Sequence, residues 1–183
     1  MTTALDPKSI KVALLAGGAS GEREISLASG AGARAALEEA GFKVTPFDPA
    51  VKEDLKALVA GEFDVAFICL HGRYGEDGTI QGLLEVLGLP YIGSGVWSSA
   101  LAIDKAKSKV FYRHFNLSTP KSITVFRNHP RSMEEIMERV GVPCVVKPAT
   151  EGSALGVHIV TDAADLPAAL EETLARDEEV LVE

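Results

Sequence analysis

The feature that most constrains the fold is the regular alternation of apolar runs and helical patterns in the first half of the chain. KVALLA (11–16) and FDVAFICL (63–70) are predominantly apolar runs, typical of strands buried on both faces of a parallel sheet. Two further strands and three helices complete the pattern: strands at 42–47 and 89–93, and helices at about 23–40, 51–60 and 79–87. This alternation predicts a doubly wound α/β domain with a parallel sheet.

The character of the sequence changes near Gly93–Gly95, where turn residues cluster. The second half is predicted to contain a Lys-rich helix at 98–115, a strand at 121–126, a helix from the capping box Ser132–Glu135 to about 140, two strands within 142–160, a helix at about 165–176 and a strand at 180–183. We therefore expect two domains, 1–93 and 94–183.

Charge and cysteine usage argue against several classes of protein. The 183 residues carry a net charge of -8, whereas a nucleic-acid or anionic-membrane partner would require a basic face. Cys69 and Cys144 lie within apolar runs and are interpreted as core residues rather than disulfide or metal ligands. The segment MTTALDPKSI lacks the apolar stretch of a signal peptide, and no segment approaches the ~20 apolar residues of a membrane span. A cytoplasmic protein is expected.

Two loops follow predicted strands at the edge where parallel sheets bind ligands. GGASGE (17–22) lacks the G-x-G-x-x-G dinucleotide pattern, but its glycines can approach an anion closely at a helix N-terminus. Two interpretations of Glu22 stand. It is a carboxylate favoured by the helix dipole, or it faces a cationic group of a ligand. The loop alone favours the first interpretation.

The second of these loops, HGRYGEDGTIQG (71–82), contains more chemistry than a simple turn requires. His71 directly follows a buried strand, and the glycines permit close approach of a ligand or of another loop. Glu76 and Asp77 are either solvated or hold the loop through backbone N–H groups. Thr79 is predicted to cap the helix that follows. A structural and a ligand-binding role of His71 are equally compatible with this pattern.

A third loop, KPATEGSALGV (147–157), lies between two strands and lacks the P-loop pattern. It is either a glycine-rich hairpin or a cover for phosphate groups. Lys147 ends a buried strand, where an unpaired ammonium is costly, and this favours a ligand. Lys105, taken alone, is a surface lysine.

Four stretches taken together resemble the D-alanine–D-alanine ligase family of the ATP-grasp superfamily. They occur in the family's order and span nearly the whole chain: LLAGGASGEREISLASG, LHGRYGEDGTIQGLLEVLGLPYIGSG, ALAIDKAKSK and VVKPATEGSALGV. The HGRYGEDGTIQG stretch is highly specific, whereas the KPATEGSALG loop is typical of ATP-grasp ligases more broadly. The resemblance implies an N-terminal doubly wound parallel sheet (the pre-ATP-grasp domain) followed by the small α+β lobe of an ATP-grasp fold.

The resemblance also implies an activity. The enzyme phosphorylates the carboxylate of one D-alanine with ATP, and the amine of a second D-alanine attacks the acyl phosphate. The product, D-alanyl-D-alanine, serves peptidoglycan precursor synthesis. Implied cofactors are ATP and Mg²⁺ (or Mn²⁺). The implied protein is a cytoplasmic homodimer that acts on small molecules, with no nucleic-acid or membrane partner.

Residue roles carry over position by position from the resemblance. Glu22 binds the ammonium of the first D-alanine and His71 lies near its carboxylate. Lys105 and Lys147 hold the ATP phosphates. Ser153 hydrogen-bonds within the substrate site and, with Glu22, is assigned to catalysis. The resemblance also assigns Gly17, Gly18 and Gly72 to the substrate, and Glu151, Gly152, Ser153, Ala154, Gly156 and Glu183 to ATP, with the loop from Gly152 to Gly156 covering the phosphates.

Two departures from the family pattern qualify this assignment. Ala154 stands where the family often has a second serine, so one hydroxyl contact is lost. The family's third domain, with its metal-binding residues, is absent, so no metal ligand is assigned and the chain is interpreted as an N-terminal fragment that is inactive alone. The alternatives are a D-alanine–D-lactate or D-alanine–D-serine ligase, another ATP-grasp carboxylate–amine ligase, or a non-catalytic α/β ligand-binding module.

Overall fold

The computed structural model describes residues 6–183, which form two compact units. The first unit runs to Ala100 and the second comprises Leu101–Glu183. The domain boundary predicted between 93 and 94 stays a prediction.

The first unit is built on a parallel sheet, as the sequence predicts. Its elements are β1 (Lys11–Leu15), α1 (Arg23–Glu39), β2 (Lys43–Phe47), α2 (Lys52–Ala60), β3 (Val65–Ile68), α3 (Thr79–Leu87) and β4 (Tyr91–Ile92), followed by α4 (Val96–Ile103). The strand order is β2-β1-β3-β4, and all neighbouring strands are parallel. Four of the five β1 residues are buried, because the strand is central and covered on both faces.

The strand order determines which loops meet. Since β1 and β3 are adjacent and parallel, their carboxyl ends lie at the same edge of the sheet. The loops 17–22 and 71–78 therefore emerge side by side, at the edge where α/β sheets place their ligands. Strand β2 also neighbours β1, and it brings the residues just after Phe47 to the same edge.

The second unit is a four-stranded antiparallel sheet with helices. Its elements are α5 (Lys105–His114), β5 (Ile123–Phe126), α6 (Met133–Arg139), β6 (Cys144–Pro148), β7 (His158–Val160), α7 (Leu166–Arg176) and β8 (Glu179–Val182). The strand order is β5-β8-β6-β7. Leu166 and Leu170 of α7 and Ile136 of α6 share one core with Val146 and Val180 of the sheet. The predicted small α+β lobe is confirmed.

Two local predictions were wrong. The single helix expected over 98–115 is broken at Asp104, whose buried side chain accepts a hydrogen bond from Lys107 N–H (2.9 Å) and so caps α5. Thr79 does not cap α3. Gly78 occupies the cap position in a left-handed conformation, and Asp77 Oδ1 accepts from Thr79 N–H (3.0 Å) instead.

The core assignment of the cysteines is confirmed, because Cys69 and Cys144 are both buried free thiols. Burial raises the pKa of each thiol. Within residues 6–183, no helix combines the length and the apolar character needed to cross a membrane.

Candidate active site

The glycine loop after β1 is anchored by buried hydrogen bonds. Gly17 N–H donates to Ser26 Oγ (2.8 Å), and the Ser26 hydroxyl donates to the Cys69 carbonyl at the end of β3 (2.7 Å). Gly17 has a φ of +94°, and a Cβ there would lie 2.6 Å from the Asp48 carboxylate. Only glycine meets both conditions, so the loop requires it for packing as well as for conformation.

Asp48 and Arg23 form a second anchor of the same loop. Asp48 accepts from Gly18 N–H (2.9 Å), Ala50 N–H (3.0 Å) and Arg23 Nη2 (2.5 Å), while Arg23 Nη1 donates to the Gly18 carbonyl (2.7 Å). Burial favours a higher pKa for Asp48, but the bonds from Arg23 and the backbone outweigh it and lower the pKa. The ionised Asp48 carboxylate, which follows β2, therefore attaches the glycine loop after β1 to the end of β2.

Glu22 lies between the two loops. The residue is 7% exposed, and its side chain makes no capping hydrogen bond although it precedes α1. A Cβ added to Gly72 would lie 2.7 Å from Glu22 Oε2, so the carboxylate packs directly over this glycine. Ser20 Oγ donates to the His71 carbonyl (2.8 Å) and accepts from Glu22 N–H (3.2 Å). The structure thus brings Glu22 and Gly72 together, with His71 next in the chain.

The acidic residues of the second loop hold its backbone. Glu76 Oε2 accepts from Gly72 N–H (2.6 Å), and Asp77 Oδ2 accepts from Tyr74 N–H (2.9 Å). Gln81 donates to the Gly75 carbonyl (2.8 Å). Of the two interpretations of these acids, the structural one is confirmed.

A largely apolar cavity of about 270 Å³ opens beside these loops. Gly18, His71 and Thr79 line it, together with apolar side chains such as Leu55 and Leu83. The cavity has room for a small amino acid. His71 Nε2 lies 3.5 Å from Ser29 Oγ, and this contact positions the ring beside the cavity, just after the end of β3.

In the second unit, three lysines and one carboxylate line a cavity of about 240 Å³. Glu183 bonds through Oε1 to Lys147 Nζ and through Oε2 to Lys109 Nζ. Lys105 Nζ donates to the Glu151 carbonyl (2.5 Å). Burial, and next the nearby charge of Lys147, lower the pKa of Lys105. Three ammonium groups and one carboxylate give the lining of this cavity a net positive charge, which favours an anionic ligand.

The loop 152–156 has an unusual backbone. Ser153 and Ala154 both adopt positive φ, at 47° and 57°, which is uncommon for residues other than glycine. Both are exposed, and neither they nor Gly152 and Gly156 line the lysine cavity. The structure joins this loop to the cavity through Glu151, whose carbonyl accepts from Lys105.

Comparison with known proteins decides the family. The family model "D-ala D-ala ligase N-terminus" matches residues 50–94, and "D-ala D-ala ligase C-terminus" matches residues 112–183. The D-alanine–D-alanine ligase of Cupriavidus pinatubonensis is 48% identical over 98% of this chain, and that of Geobacter sulfurreducens is 47% identical over 96%. The chain belongs to the D-alanine–D-alanine ligase family. It spans about half the length of these relatives, 54% and 55% respectively.

Solved structures of the D-alanine–D-alanine ligase family have the same fold. A D-alanine–D-alanine ligase from Bacillus anthracis superimposes with a TM-score of 0.86 at 37% identity, covering 95% of this chain and 57% of that protein. The same enzyme complexed with ATP gives a TM-score of 0.84 at 36% identity, with 95% and 58% covered. The ATP-grasp assignment of the fold is confirmed.

Several ligase-family site residues were not apparent from the sequence. No sequence motif marks Asp48 as a site residue, because it reaches the glycine loop only through the pairing of β1 with β2. Ser26 resembles any polar residue of an amphipathic helix until its burial is seen. Lys109 likewise resembles a surface lysine in the sequence, and only the structure shows that it is buried. Among the described residues, no group of three or more His, Cys, Asp or Glu is arranged to hold a metal ion.

Gly72→Ala tests the close approach of the two ligase loops. The new methyl group would clash with Glu22 Oε2 and require strain at a φ of +63°. Because the resemblance assigns Glu22 to the ammonium of D-alanine, we expect its displacement to raise KM for D-alanine in the full-length protein. Gly82→Ala in α3 is the matched control, because no atom lies within 4 Å of its Cβ, and it should leave KM unchanged. Equal behaviour of the two variants would contradict the role of Gly72.

Proposed function

We propose that the full-length protein joins two D-alanine molecules at the expense of ATP. The observation that carries this proposal is the match to D-alanine–D-alanine ligases over 98% of the chain, which includes both clusters of site residues. A carboxylate oxygen of the first D-alanine attacks the γ-phosphorus of ATP, and ADP leaves. The amine of the second D-alanine then attacks the acyl carbon, a C–N bond forms, phosphate leaves, and the amine loses a proton to solvent.

The first unit holds the first D-alanine. Glu22 accepts hydrogen bonds from its ammonium group, since a buried carboxylate is well suited to a charged partner. His71 lies near its carboxylate, and Gly17, Gly18 and Gly72 allow the backbone to approach it. The Asp48–Arg23 anchor limits motion of the loop, which supports orientation of the reacting carboxylate.

The second unit holds the nucleotide. Lys105 and Lys147 bind the phosphates as compact positive charges, which offset the negative charge of the transferring phosphoryl group. Residues 151–156 cover the phosphates, where Ser153 adds a hydrogen bond within the substrate site and backbone N–H groups compensate for the hydroxyl lost at Ala154. Glu183 lies at the strand that meets the adenine.

The metal is not assigned to the described residues, which offer no suitable group of ligands. We propose that a third domain supplies the Mg²⁺ (or Mn²⁺) ligands, so the 183 residues alone are expected to be inactive. We also propose a cytoplasmic homodimer that acts on small molecules, without a nucleic-acid or membrane partner. The net charge of -8 and the two free buried thiols support this placement.

Product analysis tests the proposed function. The full-length protein, incubated with ATP, Mg²⁺ and D-alanine, should form D-alanyl-D-alanine, ADP and phosphate in equal amounts. D-Lactate and D-serine, each offered together with D-alanine, provide the comparison for the second substrate. Formation of only a mixed product would replace the proposal by one of the related ligase activities.

A further inference from the structure

Lys109 of α5 is a buried charge to which the proposed function gives no role. Its side chain is 5% exposed. An ammonium group at such depth is costly unless it is paired. In the part of the chain that the structure describes, its charged partner is Glu183, through Oε2. The cost of burying Lys109 is therefore offset by a single carboxylate of the nucleotide cavity.

Glu183 is shared between two lysines. Its Oε1 accepts from Lys147 and its Oε2 from Lys109, so each carboxylate oxygen has its own ammonium partner. Burial favours a higher pKa for Glu183, but the hydrogen bonds from Lys109 and Lys147 outweigh it and lower the pKa. The carboxylate is thus ionised and lies between the two lysines.

The two lysines differ in how they meet the cavity. Lys147 is 21% exposed at its side chain, whereas Lys109 is almost completely enclosed. An entering phosphate group can therefore recruit Lys147, while Lys109 remains beside Glu183. If Glu183 had Lys147 as its sole partner, the same movement would leave a partly buried carboxylate, 18% exposed at its side chain, without a charged partner, which is unfavourable.

We propose that Lys109 is a positioning residue that keeps Glu183 paired and thereby makes Lys147 available to the phosphates of the nucleotide. This inference rests on the proposed function, in which Lys147 binds phosphate. Lys109 acts through Glu183 and Lys147 and does not itself contact the reacting atoms. Its effect should consequently appear only with ligands that carry phosphate groups.

Nucleotide affinity of Lys109→Met in the full-length protein tests this inference. Calorimetric titration should show ATP and ADP binding weakened by at least about tenfold, because Glu183 then competes with phosphate for Lys147. Adenosine has no phosphate, and its affinity should not change. Adding Glu183→Gln to Lys109→Met removes the competing charge, so the ratio of ATP affinity to adenosine affinity should return toward the wild-type value.

The controls separate this role from a structural one. Lys107→Met removes an exposed lysine of the same helix, whose partners Asp104 and Glu179 do not line the cavity, and should leave ATP affinity unchanged. Lys109→Arg keeps the positive charge and should retain ATP binding.

Unchanged ATP affinity in Lys109→Met would overturn the inference, and so would equal weakening of ATP and adenosine. Failure of the wild-type protein to bind ATP would instead overturn the proposed function, and the inference with it.

A measurement on the wild-type protein covers the case in which Lys109→Met does not fold. In NMR spectra of isotope-labelled lysine side chains, ADP should shift the Nζ signal of Lys147 and leave that of Lys109 in place. A shift of Lys109, or none at Lys147, would overturn the inference.

Discussion

Glu22→Gln in the full-length protein is expected to lower kcat/KM for D-alanine by at least about 100-fold, a loss of ~3 kcal/mol in transition-state binding. The amide keeps the shape of the carboxylate but loses the charge that pairs with the substrate ammonium. Glu22 is buried over Gly72, so solvent cannot readily replace the lost interaction. Steady-state kinetics with D-alanine varied at saturating ATP measures the effect.

Glu24→Gln is the matched control for this substitution. Glu24 lies in the first turn of α1 and is exposed, so the Glu24→Gln variant should have kinetics close to those of the wild type. ATP affinity should be unaffected in both variants. Wild-type kcat/KM in Glu22→Gln would contradict the assignment of this residue to the substrate ammonium.

Lys147→Ala is expected to weaken ATP binding by about 100-fold while changing D-alanine affinity much less. The substitution removes one of the two ammonium groups assigned to the phosphates. Glu183 keeps Lys109 as its partner, so the loss is not confounded by a partly buried carboxylate left without a charged partner. Direct titration with ATP, and separately with D-alanine, distinguishes the two effects.

Lys121→Ala serves as the control in the same unit, because Lys121 is exposed and does not line the cavity. Its ATP affinity should match that of the wild type. An unchanged ATP affinity in Lys147→Ala would remove Lys147 from the phosphate site, and equal losses for ATP and D-alanine would indicate general damage instead.

The sequence predicted the parallel sheet because its strands carry a strong local signal. KVALLA and FDVAFICL are mostly apolar, and each is followed by a glycine loop, so the sequence predicts two candidate ligand-binding loops at the carboxyl edge of the sheet. That these loops are neighbours follows from the pairing of β1 with β3. The break at Asp104 was missed because apolar and basic residues continue the helical pattern through it. Asp104 accepts a capping hydrogen bond from Lys107 N–H, and a new helix begins there. The periodicity of apolar residues does not reveal such a cap.

The supporting residues of the site could not be predicted, because their roles come from contacts between distant positions. Asp48 meets Gly18 through strand pairing, and Lys109 meets Glu183 across 74 positions of the chain. Local sequence showed only an ordinary Asp-Pro turn and one lysine among several in a helix. Burial and charge pairing, which distinguish these residues, are properties of the folded chain.

We propose that this chain is part of an enzyme that activates D-alanine with ATP. The most direct test is ADP release by the full-length protein with ATP and Mg²⁺, comparing D-alanine with L-alanine. We predict ADP release that depends on D-alanine and is absent with L-alanine. No ADP with either isomer, despite binding of a ligand, would contradict the claim and favour a non-catalytic α/β binding module or a different acceptor substrate.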